Sequence, residues 1–183
     1  MDEKLKLYNL SKPYINTGDC IIWRSYSTIG SLIRFFSKAD VNHASLVIKP
    51  KEYVGLVDRR FLLEALEFGV VPRLLSERLK NFKGKVWWLP LKKKYEDKRN
   101  SIAEWAIQEI AKGKGYDYKS LFKQILGRVS IETGKYFCSE FVHASLVFGA
   151  SIALPMKAAR PGDLENLGVY EKRILIYDNI GES

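Results

Sequence analysis

The sequence predicts an α+β fold in which an antiparallel sheet packs against helices. Short apolar, β-branched runs fill the first half of the 183-residue chain, and helical spacing of apolar residues dominates much of the second half. No internal repeat, low-complexity tract or Pro/Ser-rich linker divides it, so residues 1–183 read as one domain, long enough to bury a core without disulfides or metal. Hydrophobic residues at 46% and charged residues at 28% are an ordinary globular balance.

After a polar start, Gly18-Asp19 turns the chain into Cys20-Ile21-Ile22-Trp23, an apolar run that fits a buried strand. Ser27 suits an N-cap before Ile29, Leu32, Ile33 and Phe36, which share a helical face. Asn42 to Ile48, stopped by Lys49-Pro50, reads as a strand. Phe61 to Val71 reads as one more strand, ended by Pro72, and Lys85 to Leu91 as another. A helix is expected from Lys98 to Lys112, with Ile102, Trp105, Ala106 and Ile110 inward and Gly113 as its stop. A second follows Asp117 as N-cap, through Leu121, Phe122 and Ile125, and a third runs from Cys138 to Phe148 after the break at Gly134. Pro161-Gly162, a turn at Asp163-Leu164 and a strand from Arg173 to Tyr177 complete the chain.

Thirty lysines and arginines against 21 acidic residues give a formal charge of +9, which favours an anionic partner such as a wall polymer or membrane surface. Nucleic acid is disfavoured, because no arginine-rich arm, zinc spacing or RNA-binding aromatic motif is present. Cys20 and Cys138 lie outside any CxxC pair, so neither structural zinc nor a disulfide scaffold is expected, and no cofactor is called for. The start Met1-Asp2-Glu3-Lys4-Leu5-Lys6 does not read as a secretory signal and no segment has the apolar length of a membrane span, so a reducing cytoplasm is the expected compartment.

Cys138 is the sharpest chemical signal. It opens an apolar helical run, and a helix N-terminus offers a thiolate both the positive end of the dipole and unpaired N–H groups that could also hold an oxyanion. Of the two histidines, His143 lies five residues on, about 140° around the helix, and cannot serve the thiol from there. His43, on a separate strand, is free to approach. Glu64 and Glu67 both stand in apolar sequence where an unpaired carboxylate is costly, and in a strand only one of them can face His43. Cys20, inside a strand with no helix behind it, reads as core. Ser45 and Ser139 lack a GxSxG elbow.

Gly18-Asp19-Cys20-Ile21-Ile22, Arg34-Phe35-Phe36-Ser37 at a helix end, Asn42-His43-Ala44-Ser45-Leu46-Val47, Glu64-Ala65, Gly115-Tyr116-Asp117-Tyr118, Cys138-Ser139-Glu140 and Pro161-Gly162-Asp163-Leu164 succeed one another in an order that resembles the YiiX-like proteins. These belong to the circularly permuted branch of the NlpC-type papain-like superfamily, in which histidine precedes cysteine. The resemblance spans Gly18 to Leu164, with alanine after His43 where glycine is common and cysteine at position 20 where an aliphatic residue is usual. It implies a permuted papain-like fold with Cys138 as nucleophile, His43 as general base and Glu64 as the orienting acid. It also implies thiolate attack on an amide or ester carbonyl and an acyl-enzyme. The favoured substrate is an amide bond in a small or peptidoglycan-like peptide. The alternatives are an acyl lipid, which the basic charge and Trp87-Trp88 would suit, and a non-catalytic basic adaptor, against which the intact cysteine, histidine and glutamate set argues.

Overall fold

In the computed structural model, residues 3–26, 40–50, 55–56, 58–66, 69–111, 137–155 and 160–179 are described. The expected helix after Ser27, the helix after Asp117, Glu67 and the Gly115–Tyr118 patch lie outside them. Six strands, β1 Cys20–Ser25, β2 His43–Ile48, β3 Phe61–Leu66, β4 Gly69–Leu74, β5 Gly84–Leu89 and β6 Ile174–Asn179, form one sheet in the order β4-β3-β2-β1-β5-β6. Every neighbouring pair is antiparallel. Among the described residues the α-helices are α1 Lys6–Ser11, α2 Leu75–Lys80, α3 Arg99–Ala111 and α4 Phe137–Ala144, the last continued by a wide turn over Ser145–Gly149. The fold class is α+β, as the order of runs predicts.

The strands are apolar almost without alternation because both faces of the sheet are covered. On one face Cys20, Ile22, Ala44, Leu46, Leu63 and Leu89 meet Ile102 and Ala106 of α3 and Phe141 and Val142 of α4. On the other Ile21, Trp23, Val47, Leu62, Val86 and Trp88 meet Tyr8 of α1 and Leu75 and Leu79 of α2. The turn after α4 lies close on α3: a Cβ at Gly149 would stand 2.9 Å from the carbonyl oxygen of Ser101, so only glycine lets the two backbones approach.

The structure departs from the sequence expectation in two places. Phe61 to Val71 is not one strand but the two strands of a hairpin, and Pro72 does not end it: β4 runs on to Leu74. Proline is tolerated there because β4 is an edge strand, and its missing N–H costs no ladder bond on the open side. The polar start and the stretch after β4 hold the short helices α1 and α2, which tertiary packing of Tyr8, Leu75 and Leu79 sustains where six residues alone would not.

Gly18, with φ of 84°, makes the turn that delivers Asp19 into the core. Asp19 is 1% exposed, and its carboxylate accepts from the N–H of Asn16 at 2.8 Å, the Trp88 indole at 2.8 Å, the N–H of Leu91 at 3.0 Å and the Arg99 guanidinium at 2.7 Å. Arg99 also donates to the Thr17 carbonyl and to Glu96. Removing one partner of such a buried pair leaves the other charge stranded. Asp19→Asn should therefore lower the unfolding free energy by about 3 kcal/mol in urea titration, and a loss below about 1 kcal/mol would contradict this account.

Candidate active site

Glu64 lies on β3 on the face shared with Leu62, and its side chain is 1% exposed. One oxygen, Oε1, accepts from His43 Nε2 at 2.7 Å and from the Ser45 hydroxyl at 3.2 Å. The Ser45 hydroxyl accepts in turn from the Trp23 indole at 2.9 Å. Strand parity explains the grouping: His43 and Ser45 are two apart on β2, and His43 pairs with Trp23 on β1, so all share one face. The other oxygen, Oε2, faces Arg78 Nε of α2 at 3.5 Å and Arg73 Nε of β4 at 3.6 Å. Burial pushes the Glu64 carboxyl up, but the hydrogen bond and charge of His43, with Arg78 and Arg73, outweigh it and hold it below the usual carboxylate value.

His43 begins β2, at the end of the sheet. Its Nε2 is taken by Glu64, which leaves Nδ1 for the Cys138 thiol, with which the ring hydrogen-bonds. Cys138 is the second residue of α4 and 6% exposed. Its sulfur also accepts from the backbone N–H groups of Ala44 and Ser139. Burial pushes this thiol up, yet the charge and hydrogen bond of His43 and the two backbone donors bring it below its ordinary value. Burial likewise works against the imidazolium, but Cys138 and then Glu64 raise His43 to about 10. The two shifts agree: the geometry favours a thiolate beside an imidazolium.

The structure thus brings Cys138, His43 and Glu64 into one hydrogen-bonded series. It keeps Cys20 and His143 out of that series. Cys20 is fully buried in the face under α3 and α4, its thiol pushed far up by burial and donating weakly to the Ile21 carbonyl at 3.8 Å. His143 donates to the Pro155 carbonyl. Trp88 donates its indole N–H to Asp19, and Trp87 is half-buried with the Arg173 guanidinium 4.9 Å from its ring. Sequence reasoning passed over Ser45, Arg73 and Arg78 as supporting groups. The hairpin register puts Arg73 diagonally across from Glu64 on the same face, a signal hidden when residues 61–71 are read as one strand.

No family model matches the chain, and no curated protein matches it. Among solved structures it is similar to the metalloprotein yiiX of Escherichia coli O157:H7, with a TM-score of 0.54 and 20% identity over 76% of this chain and 68% of that one. The fold is YiiX-like. The YiiX-like sheet carries His43 and Glu64 on neighbouring strands and receives Cys138 from a helix later in the chain. That relative is described as a metalloprotein, but among the described residues of this chain no three His, Cys, Asp or Glu side chains gather as a ligand set. Both ring nitrogens of His43 are engaged and two guanidinium groups flank Glu64, an arrangement that repels a cation. The described residues do not fit a metal centre. No helix among them is long and apolar enough to cross a membrane.

At about pH 6, iodoacetamide should label Cys138 and spare Cys20 in the native chain, with His43→Ala slowing the reaction. Peptide mass spectrometry reads both sites, and preferential labelling of Cys20 would falsify the assignment of the reactive thiol.

Proposed function

We propose that the chain is a thiol hydrolase that cleaves an amide bond in a small or peptidoglycan-like peptide through an acyl-enzyme on Cys138. The observation that carries this is the unbroken series from the Cys138 sulfur through the His43 ring to the buried carboxylate of Glu64. The thiolate attacks the carbonyl carbon, and the developing oxyanion is met by N–H groups at the start of α4. His43, as imidazolium, gives its Nδ1 proton to the leaving amine. Now neutral, it takes a proton from the water that attacks the acyl-enzyme, and the acid product leaves with the thiolate restored. Glu64 fixes the tautomer that presents Nδ1 to the sulfur and balances the charge on the ring.

A second reading is an acyl-lipid substrate reached at an anionic surface. Leu7, Leu10 and Tyr14 are 41%, 66% and 73% exposed around α1, beside the exposed Lys4 and Lys6, on a chain of charge +9. This patch could lie against a bilayer while the same thiol acts on an ester or amide of the lipid.

A competitive screen of thiol-reactive peptide and lipid acyl probes, with Cys138→Ala as blank, decides between the two. The peptide reading expects turnover of amide substrates that Cys138→Ala abolishes and Cys20→Ser retains. His43→Ala should cost about 10²–10⁴-fold, and Glu64→Gln should lower turnover while thermal unfolding changes little. Preference for acyl lipids, with co-sedimentation on anionic vesicles that fades at high salt, would move the assignment to the second reading. Full activity in Cys138→Ala would end both.

A further inference from the structure

Arg78 stands in an unusual position for a partly exposed arginine. Its side chain is 32% exposed, yet its Nε is buried and, like Glu64 Oε2 3.5 Å away, makes no hydrogen bond. The guanidinium rests over two core aromatic rings, with its carbon 5.2 Å from the Trp23 centroid and 5.6 Å from that of Phe82. Those rings are themselves locked edge to face, 5.0 Å apart. Trp23 therefore acts on Glu64 from two sides: its face seats the arginine opposite Oε2, and its N–H holds Ser45, which donates to Oε1. Arg73 reaches the same oxygen from the edge strand but is 48% exposed and 3.6 Å away.

Resting on the thiol-hydrolase reading, we propose that Arg78 is a positioning residue for the reaction, holding Oε2 of Glu64 so that Oε1 stays charged and turned to His43. Without it, a carboxylate on a covered face of the sheet keeps the Ser45 hydroxyl, the more exposed Arg73 and the His43 ring, and that ring must give up its proton during turnover. Each time His43 passes its proton to the leaving amine, Glu64 loses its nearest positive charge. Arg78 supplies a guanidinium charge that keeps Glu64 from taking the proton itself. The charged groups facing Glu64 are His43 of β2, Arg73 of β4 and Arg78 of α2, with Cys138 of α4 beyond His43. Removing Arg78 leaves the burial of Glu64 less opposed, so its carboxyl protonates at higher pH. A protonated Glu64 no longer supports the imidazolium, and the thiolate forms only at higher pH.

The test is the pH dependence of Cys138 alkylation by iodoacetamide, read by mass spectrometry in the native chain and in R78M, R78Q, R78K, R73M and E64Q. Methionine keeps the packing over Trp23 and Phe82, and glutamine beside it means that the result does not hang on one folded variant. We expect a native midpoint well below that of a free thiol and a rise of about half a pH unit to one unit in R78M and R78Q. R78K should recover most of that shift, R73M should move less than R78M, and E64Q should move most. A depressed native midpoint that R78M and R78Q leave unchanged overturns the role of Arg78 while leaving the site intact. A larger shift in R73M than in R78M also overturns it, giving the role to Arg73. A native Cys138 that alkylates as a free thiol overturns the hydrolase reading and this inference with it.

Discussion

Asp19 and Arg99 bring opposite charges out of water where β1 begins, β5 has just ended and α3 starts. Four donors on one carboxylate and acceptors on the guanidinium are what make such a burial tolerable. Their geometric effect is to fix where β1 starts. β1 is central, paired with β2 on one side and β5 on the other, so fixing it fixes Trp23 opposite His43. A slip of one residue would turn His43 to the opposite face and away from Glu64. The Gly18-Asp19 motif thus sets the register that the catalytic histidine of the proposed mechanism needs.

The same physics, at smaller scale, governs the site. Glu64 could not remain charged on a covered face without the imidazole, hydroxyl and two guanidinium groups around it. Its charge in turn raises His43, and His43 lowers Cys138. Because His43 rises from 6.5 to about 10, its charge stabilises the fold fully below the lower value, and that contribution is lost as pH rises through the upper one. Cys138, shifted the other way, contributes as thiolate above its unfolded value of 9.0 and loses that contribution as pH falls through its lowered folded value. Both shifts therefore favour the thiolate–imidazolium pair over the neutral pair.

At the centre of the candidate site, Glu64 shared its apolar run with Glu67, and only the family resemblance chose between them. Cys138 and His43 were legible because each sits in a distinctive local setting, opening a helical run and a β-branched strand. The strands β1, β2 and β5 and the helix α3 were readable for the same reason: covered on both faces or packed along one, they carry long apolar runs. The β3–β4 hairpin was not, because Gly69-Val70-Val71 continues the apolar run and conceals where the chain reverses. Nor were α1 and α2, whose six residues each are helical through their packing and not through propensity. The supporting arginines inherited that blindness. Arg73 becomes a neighbour of Glu64 only through the hairpin register, and Arg78 only through α2.

The order of these groups along the chain then loses its apparent oddity. A nucleophile and its base need a shared point in space, not a sequence order. Here His43 and Glu64, base and carboxylate of the proposed mechanism, lie on the neighbouring strands β2 and β3, held by ladder pairing, and the sulfur is brought to them by the packing of α4. Phe141 and Val142 seat α4 on the face formed by Cys20, Ile22, Ala44 and Leu46, while the Ala44 N–H meets the sulfur directly. The two halves of the site are therefore fixed by different forces: hydrogen-bonded register sets His43 against Glu64, and side-chain volume sets Cys138 against His43. A register error would break the first contact outright. A change of volume at Phe141 would shift the second by fractions of an ångström, enough to weaken proton transfer while the sheet stays whole.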